Sequence, residues 1–386
     1  MRLSPSGGKT LEEQLRLAGG RPSGFDYIRI VLALTVVVWH SVVTSYGLGF
    51  QDQLLLGPAR IVFASMVPMF FAVSGFLVSA SLSRTHSIFA FLSLRAIRLI
   101  PPLLVASAVT ALAVGPLFTI TPLGNYFADG HVAAYFLNAF GIIRDHLPGV
   151  FLNNPLPNII SGQLWTIPYE MGCYLAIALL SLVGLLRNRR LFLLVVISLQ
   201  LAFLGRALLG GPIVETTVPS RTLILCFLAG AALYRYRDKV PHSPAMAVAA
   251  GTLHVALLLI PRGSYLLALP ASYLVIYAGL LTPRRTWVVT SGDYSYGIFL
   301  YGFAIQQAMM ALFPWARAWY WNLALSVPPI CIAAYASWHV VEKHALQLRH
   351  VVRRMEERWL AFRDAQLPSW MKLGAGALAD TLPVRQ

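Results

Sequence analysis

Charge is the first thing this chain lacks. Of 386 residues only 12% are Asp, Glu, Lys or Arg, against about 25% in a soluble domain. Acids are the scarcer kind, 15 against 30 bases. So small a charged fraction excludes an ordinary water-soluble protein. Cysteine is scarce too. Cys173, Cys226 and Cys331 fall in apolar segments with neither CxxC nor metal-ligand spacing, which excludes a disulfide framework and a zinc or redox motif and leaves buried thiols. No metal is expected. No repeat of 20–50 residues is visible, which excludes a solenoid. What the chain has is apolar surface: 57% of residues are hydrophobic and the mean hydropathy is +0.66.

Apolar stretches close to the length of a membrane span, about 20 residues, recur near 27–46, 60–80, 99–120, 164–186, 191–210, 220–235, 244–261, 264–282, 292–312 and 320–341. A shorter stretch, 132–143, is too brief to span and reads as re-entrant or interfacial. The net charge of +15 could suggest nucleic acid, but its distribution points elsewhere. With the N-terminus inside and sides alternating, 23 of the 30 Lys and Arg fall on the inner side and 6 on the outer, with Arg29 inside the first span. That is the positive-inside bias of a membrane protein, and no nucleic-acid partner is expected. The predicted fold is all-α, a polytopic membrane helix bundle of about ten transmembrane helices in the plasma (inner) membrane, both termini cytoplasmic.

Residues 1–24 read as a mobile N-terminal arm, interrupted by a short helix that the capping box Thr10-Leu-Glu-Glu13 announces. Residues 25–342 form the transmembrane domain. Residues 343–386 read as a cytoplasmic basic amphipathic helix followed by a disordered tail. There Ala345, Leu348, Val352, Met355, Trp359 and Phe362 recur at helical spacing, with Arg349, Arg353, Arg354, Arg358 and Arg363 between them. Such a helix suits an anionic lipid leaflet; a short coiled-coil contact is the rival reading.

Ionisable groups within apolar spans carry the functional signal, because each costs several kcal/mol unless it faces a cavity or a partner. Arg29 and His40 lie in the first span. Eleven residues turn a helix through about 1100°, so the two share a face, roughly 16 Å apart along the axis. Glu170 enters the fourth span from the outer side, roughly 9 Å deep, at about the depth of His40. A carboxylate beside an imidazole can set its tautomer and raise its basicity; a structural pair joining two helices is the plainer alternative. Arg95 and Arg98, at i and i+3 before the third span, share a face and match phosphate oxygens, although ordinary charge anchoring would also place them there. Asp26 and Asp293 read as N-caps of the first and ninth spans, His254 and His339 as packing residues, and Ser74-Gly75-Phe76 as a site of close helix approach. Ser41 points away from His40 and makes a poor nucleophile. The outer loop 120–163 is long and polar, as functional loops often are. Intramembrane His40 and Glu170 are also compatible with a proton relay in a secondary transporter or glycan flippase, although no repeat symmetry supports that.

Several motifs in order resemble the acyltransferase-3 family of membrane acyltransferases. They are Arg29-x10-His40, Phe70-Phe71-Ala-Val-Ser-Gly-Phe76, Arg95-x-x-Arg98-x-x-Pro101, Leu164-Trp165-x4-Glu170, Tyr294-Ser-Tyr-Gly-Ile-Phe-Leu300 and Ser337…Glu342-Lys343. The resemblance covers about residues 24–345. It implies a multi-span enzyme that takes an acyl group, usually acetyl, from cytoplasmic acyl-CoA. The acceptor it implies is a hydroxyl of a surface or exported saccharide, including a lipid-linked glycan, or sometimes a small molecule. On this resemblance His40 and Glu170 are catalytic, Arg29, Arg95 and Arg98 bind the CoA co-substrate, and Trp165 contacts substrate. The family commonly carries a histidine soon after the SYG motif, where this chain reads Leu300-Tyr301-Gly302. A pantetheine arm, roughly 15–20 Å when extended, could reach from an inner phosphate site to the depth of His40.

Overall fold

The structure, a computed structural model, describes residues 9–210 and 219–366. The mobility expected of residues 1–8 and the disorder expected beyond residue 366 lie outside the described residues. Every apolar stretch read as a span contains helix. The principal helices are α1 (Leu11–Leu17), α2 (Gly24–Leu55), α3 (Met66–Leu82), α4 (Ile88–Val109), α5 (Ile167–Leu182), α6 (Arg189–Leu209), α7 (Ser220–Arg235), α8 (Pro244–Leu259), α9 (Ala268–Gly279), α10 (Ser295–Leu312), α11 (Trp319–Ala336) and α12 (Arg349–Gln366). Among the described residues the β-structure amounts to isolated bridges, Thr10 to Pro241 and Thr119 to Val150. Among the described residues six helical stretches are long and apolar enough to cross a membrane: Gly24–Leu55, Arg60–Leu82, Ile88–Phe118, Gly162–Leu182, Arg189–Leu209 and Trp319–Phe362. Helices α8 and α9 are apolar but shorter. The chain is therefore a multi-span membrane helix bundle, in which six spans rather than ten stand on length and hydropathy alone.

At the centre of the bundle α3 and α7 meet backbone to backbone. A methyl group on Gly75 would lie 1.9 Å from the carbonyl oxygen of Phe227, and one on Gly230 would lie 2.1 Å from that of Ala72. The small residue in Ser74-Gly75-Phe76 thus has a glycine counterpart on the facing helix, as expected where helices pack without a hydrophobic driving force between them. Phe76, one residue on, stacks on Phe25 of α2 at 5.6 Å and meets Tyr234 of α7 edge-on at 5.3 Å. Gly75→Ala should therefore cost about 3 kcal/mol, the upper end for overpacking, because the obstacle is backbone and cannot rotate away. Gly205→Ala, where a methyl meets nothing within 4 Å, is the control. Thermal unfolding of the detergent-solubilised protein checks this; equal midpoints for the two variants would show that the close approach is dispensable.

The long loop between α4 and α5 is a packed cap. It holds short helical turns at Leu123–Ala128, Gly130–Ala134 and Tyr135–Phe140, so the 132–143 stretch does not span. Tyr126, Tyr135 and Ile160 are fully buried. Amide side chains satisfy the cap's backbone, as buried polar groups require. Gln307 of α10 donates to the carbonyls of Leu156 (2.8 Å) and Ile159 (2.7 Å), and Asn154 donates back to the Gln307 carbonyl and side chain at 2.9 Å each.

Both ends of the chain are docked as far as they are described. Thr10 and Glu13 form the reciprocal capping box, and Leu11 is completely buried with its N–H on the Val240 carbonyl, 2.9 Å. The N-terminal arm from residue 9 is thus pinned to the α7–α8 connection rather than loose. Helix α12 packs against α4: the Glu356 carboxylate accepts the backbone N–H groups of His86 (2.8 Å) and Ser87 (2.7 Å), just ahead of α4. It leaves Val351, Met355, Trp359 and Phe362 exposed. The amphipathic pattern is as expected, but the helix has a protein partner as well as an exposed apolar face.

Candidate active site

A single cavity of about 1270 Å³ is lined by Arg29, His40, Arg95, Arg98, Trp165 and Glu170. These are the six site residues singled out from the sequence, and α2, α4, α5 and the turn before α5 bring them together. Arg29 and His40, a stripe on α2, give the cavity a length of at least roughly 16 Å. Beyond Arg29 it is lined by exposed arginines of the connecting loops and of α12.

His40 lies at one end. Its ring meets Phe303 of α10 edge-on, centroids 5.1 Å apart. Among the described residues no hydrogen bond occupies either ring nitrogen, so both are available to a substrate. The helix around it is held firmly: Gln306 of α10 donates to the Val37 carbonyl at 2.7 Å, and Thr44 to the His40 carbonyl at 2.7 Å. Ser41 is fully buried and donates to Val38, which removes it as a nucleophile. Glu170 shares the cavity with His40 but does not pair with it directly. Its carboxylate accepts the Tyr174 hydroxyl one turn further along α5. Trp165 is 42% exposed and sits edge-on to Tyr169 at 6.0 Å.

Gln163, two residues before Trp165, escaped the sequence reading. It is 2% exposed, donates to the Leu300 carbonyl at 2.8 Å, and lines the cavity. Its Oε1 is buried without a partner among the described residues. A buried acceptor left open is costly.

The arginines are not equivalent. Arg29 and Arg98 both bind Oδ2 of Asp293 at 2.6 Å, and Ser295 donates to Oδ1 at 2.7 Å. Arg98 also reaches Glu342 at 3.3 Å, whose other oxygen accepts from Ser337 at 3.0 Å. Asp293 is thus the centre of an ion cluster joining α2, α4 and α10, not an N-cap; α10 has no side-chain cap. Nor does Asp26 cap α2: Ser23 holds that position, with Asp26 in the first turn. Ser337 and Glu342 come together because residues 337–342 form a π-helix. Five residues turn an α-helix through about 500°, which would separate them, whereas the π-helix repeats at i→i+5. Among the described residues Arg95 forms no salt bridge with a carboxylate. It donates to Ser81 at 3.1 Å, lies 5.9 Å over the Tyr174 ring, and keeps its Nε buried and unpaired among the described residues. His254 and His339 lie outside the cavity lining: His254 bonds Ser65 at 2.6 Å and His339 stacks near Tyr335 at 4.2 Å.

A cavity with an open imidazole at one end and arginines along the other suits group transfer from a long anionic donor. Comparison with known proteins supports group transfer. Residues 23–340 match the acyltransferase domain of the acyltransferase-3 family, and the chain belongs to that family. It is 27% identical over 349 residues to an O-acetyl transferase of Shigella phage Sf6, covering 83% of this chain and 95% of the phage protein. It is 26% identical over 375 residues to nodulation protein 10 of Rhizobium leguminosarum bv. viciae, covering 88% of this chain and 97% of that protein. No solved structure matches. The protein is a membrane O-acyltransferase, which sets aside the transporter reading.

Proposed function

We propose that the protein carries an acetyl group from cytoplasmic acetyl-CoA to a hydroxyl of a surface or exported saccharide, working in the plasma membrane with both termini cytoplasmic. The observation that carries this reading is the shared cavity, with His40 at one end and Arg29, Arg95 and Arg98 on the way to the other. Membership of the O-acyltransferase family and the phage O-acetyl transferase relative support the acetyl group.

In the proposed reaction the acceptor hydroxyl attacks the thioester carbonyl carbon while His40 takes its proton. The C–S bond breaks, the thiolate receives that proton from His40, and an ester and free CoA leave. Glu170 acts within the shared cavity through its Tyr174 contact, and Trp165 offers an exposed ring to a sugar face. Arg29 and Arg98 are largely neutralised by Asp293 and Glu342, so Arg95 is the deep cation free to meet the donor. A secondary reading in which His40 is itself acylated uses the same residues.

Purified protein given acetyl-CoA and a panel of saccharides should release free thiol only when an acceptor is present, with the ester appearing on the sugar. Thiol release from longer acyl-CoA donors but not from acetyl-CoA would overturn the acetyl assignment. Ester formation on non-saccharide hydroxyls alone would overturn the acceptor class.

A further inference from the structure

Of the three arginines expected to bind the donor, two are poorly placed to neutralise phosphate. Arg98 is engaged by two carboxylates and Arg29 by one. A CoA thioester carries phosphates on its nucleotide end, far from the reacting carbonyl. Five further arginines line the cavity beyond Arg29: Arg21, Arg84, Arg285, Arg349 and Arg353. They come from the N-terminal arm, the α3–α4 loop, the loop after α9, and α12. All are exposed, and among the described residues none of them forms an ion pair. Arg349 and Arg353 are one helical turn apart and share a face.

That face of α12 is held toward the cavity. Leu346, just ahead of the helix, and Leu360 line the cavity beside the two arginines. Glu356, a turn after Arg353, is bonded to the two amides ahead of α4. The opposite side of α12 carries Val351, Met355, Trp359 and Phe362, between 52% and 61% exposed, a surface suited to the lipid interface. Arg354 and Arg358 do not line the cavity. One helix thus presents Arg349 and Arg353 to the cavity together with Glu357 and the amide-bound Glu356, and keeps Arg354 and Arg358 elsewhere, a division that charge anchoring alone does not require.

We infer that α12 is part of the donor site, and that Arg349 and Arg353, with Arg84 of the α3–α4 loop that α12 contacts, bind the phosphates of the donor's nucleotide end. This rests on the acyl-CoA reading above. Guanidinium groups suit such oxygens through paired, charge-assisted hydrogen bonds. The donor would then lie with its phosphates against α12 and its pantetheine arm running past Arg95 toward His40.

The test compares wild type with Arg349→Gln/Arg353→Gln, and with Arg354→Gln/Arg358→Gln as control, in detergent without lipid. Acetyl-CoA and acetyl-pantetheine, which has the same thioester but no phosphate, are the two donors. Arg84→Gln repeats the comparison from a separate element. For the cavity-facing pair the KM for acetyl-CoA should rise tenfold or more, with kcat held and the KM for acetyl-pantetheine unchanged. The control pair should match wild type. The inference is overturned if the KM for acetyl-CoA is unmoved, or if both donors are weakened alike. It is also overturned if the defect appears only in vesicles containing anionic lipid, since the arginines would then be lipid contacts. Inactivity of wild type toward every CoA thioester would instead remove the acyl-CoA reading itself.

Discussion

His40→Ala is expected to lower acyl transfer by about a thousandfold or more, within the range a positioned general base contributes, while the protein still inserts and still binds CoA. The expectation rests on three features of the residue. It lies in an apolar helix where an ionisable group needs a reason. Among the described residues its ring nitrogens have no hydrogen-bond partner, and it lines the cavity shared with Glu170. Its backbone is fixed by Gln306 and Thr44 rather than by the ring itself, so truncating the ring should not disturb α2. Single-turnover measurement of ester formation, alongside CoA titration by calorimetry, separates chemistry from binding. Near-normal turnover with intact folding would remove His40 from the mechanism, whether as base or as acylated intermediate.

Asp293→Ala should be the most damaging change outside the histidine. The carboxylate holds two guanidinium groups at 2.6 Å, and the side chains of Arg29, Arg98 and Asp293 are 27%, 18% and 25% exposed. Removing the acid leaves Arg29 without its carboxylate and Arg98 with Glu342 alone. Breaking a largely buried pair from one side costs about 3 kcal/mol, and here one acid serves two partners on separate helices. Activity should fall with stability, since α2, which carries His40, and α4, which carries Arg95, are joined through this acid. Asp293→Glu should recover part of both. The measurements are thermal unfolding in detergent and the thiol-release assay. An Asp293→Ala protein that unfolds at the wild-type midpoint and keeps its rate would show that the cluster joins nothing of consequence.

The two variants probe groups of different legibility. His40 could be found from one line of sequence, because hydrocarbon penalises an imidazole and an eleven-residue offset from Arg29 returns to the same helix face. The same local rules located Glu170, the Arg95–Arg98 pair and the capping box at Thr10 and Glu13. Asp293 was read as a cap because it sits where a helix begins, and nothing adjacent in sequence reveals that two arginines more than 190 residues away converge on it. Glu342 was visible only as part of a motif, since its contact with Ser337 needs a π-helical turn that no α-periodic pattern encodes.

What the sequence by itself determined is the membrane, the helical class and the identity of the ionisable residues inside it. Those follow from composition and from periodicity within one helix, which are local quantities. The tertiary structure alone decided which ions neutralise each other and therefore which arginines remain open to a donor. It also decided that Glu170 bonds Tyr174, that Gln163 keeps a buried oxygen unpaired among the described residues, and that Gly75 packs on the backbone of Phe227. Finally, it set the amphipathic α12 against the mouth of the cavity. Each of these depends on how helices distant in sequence are rotated against one another, and packing sets that rotation, not the pattern along any single helix.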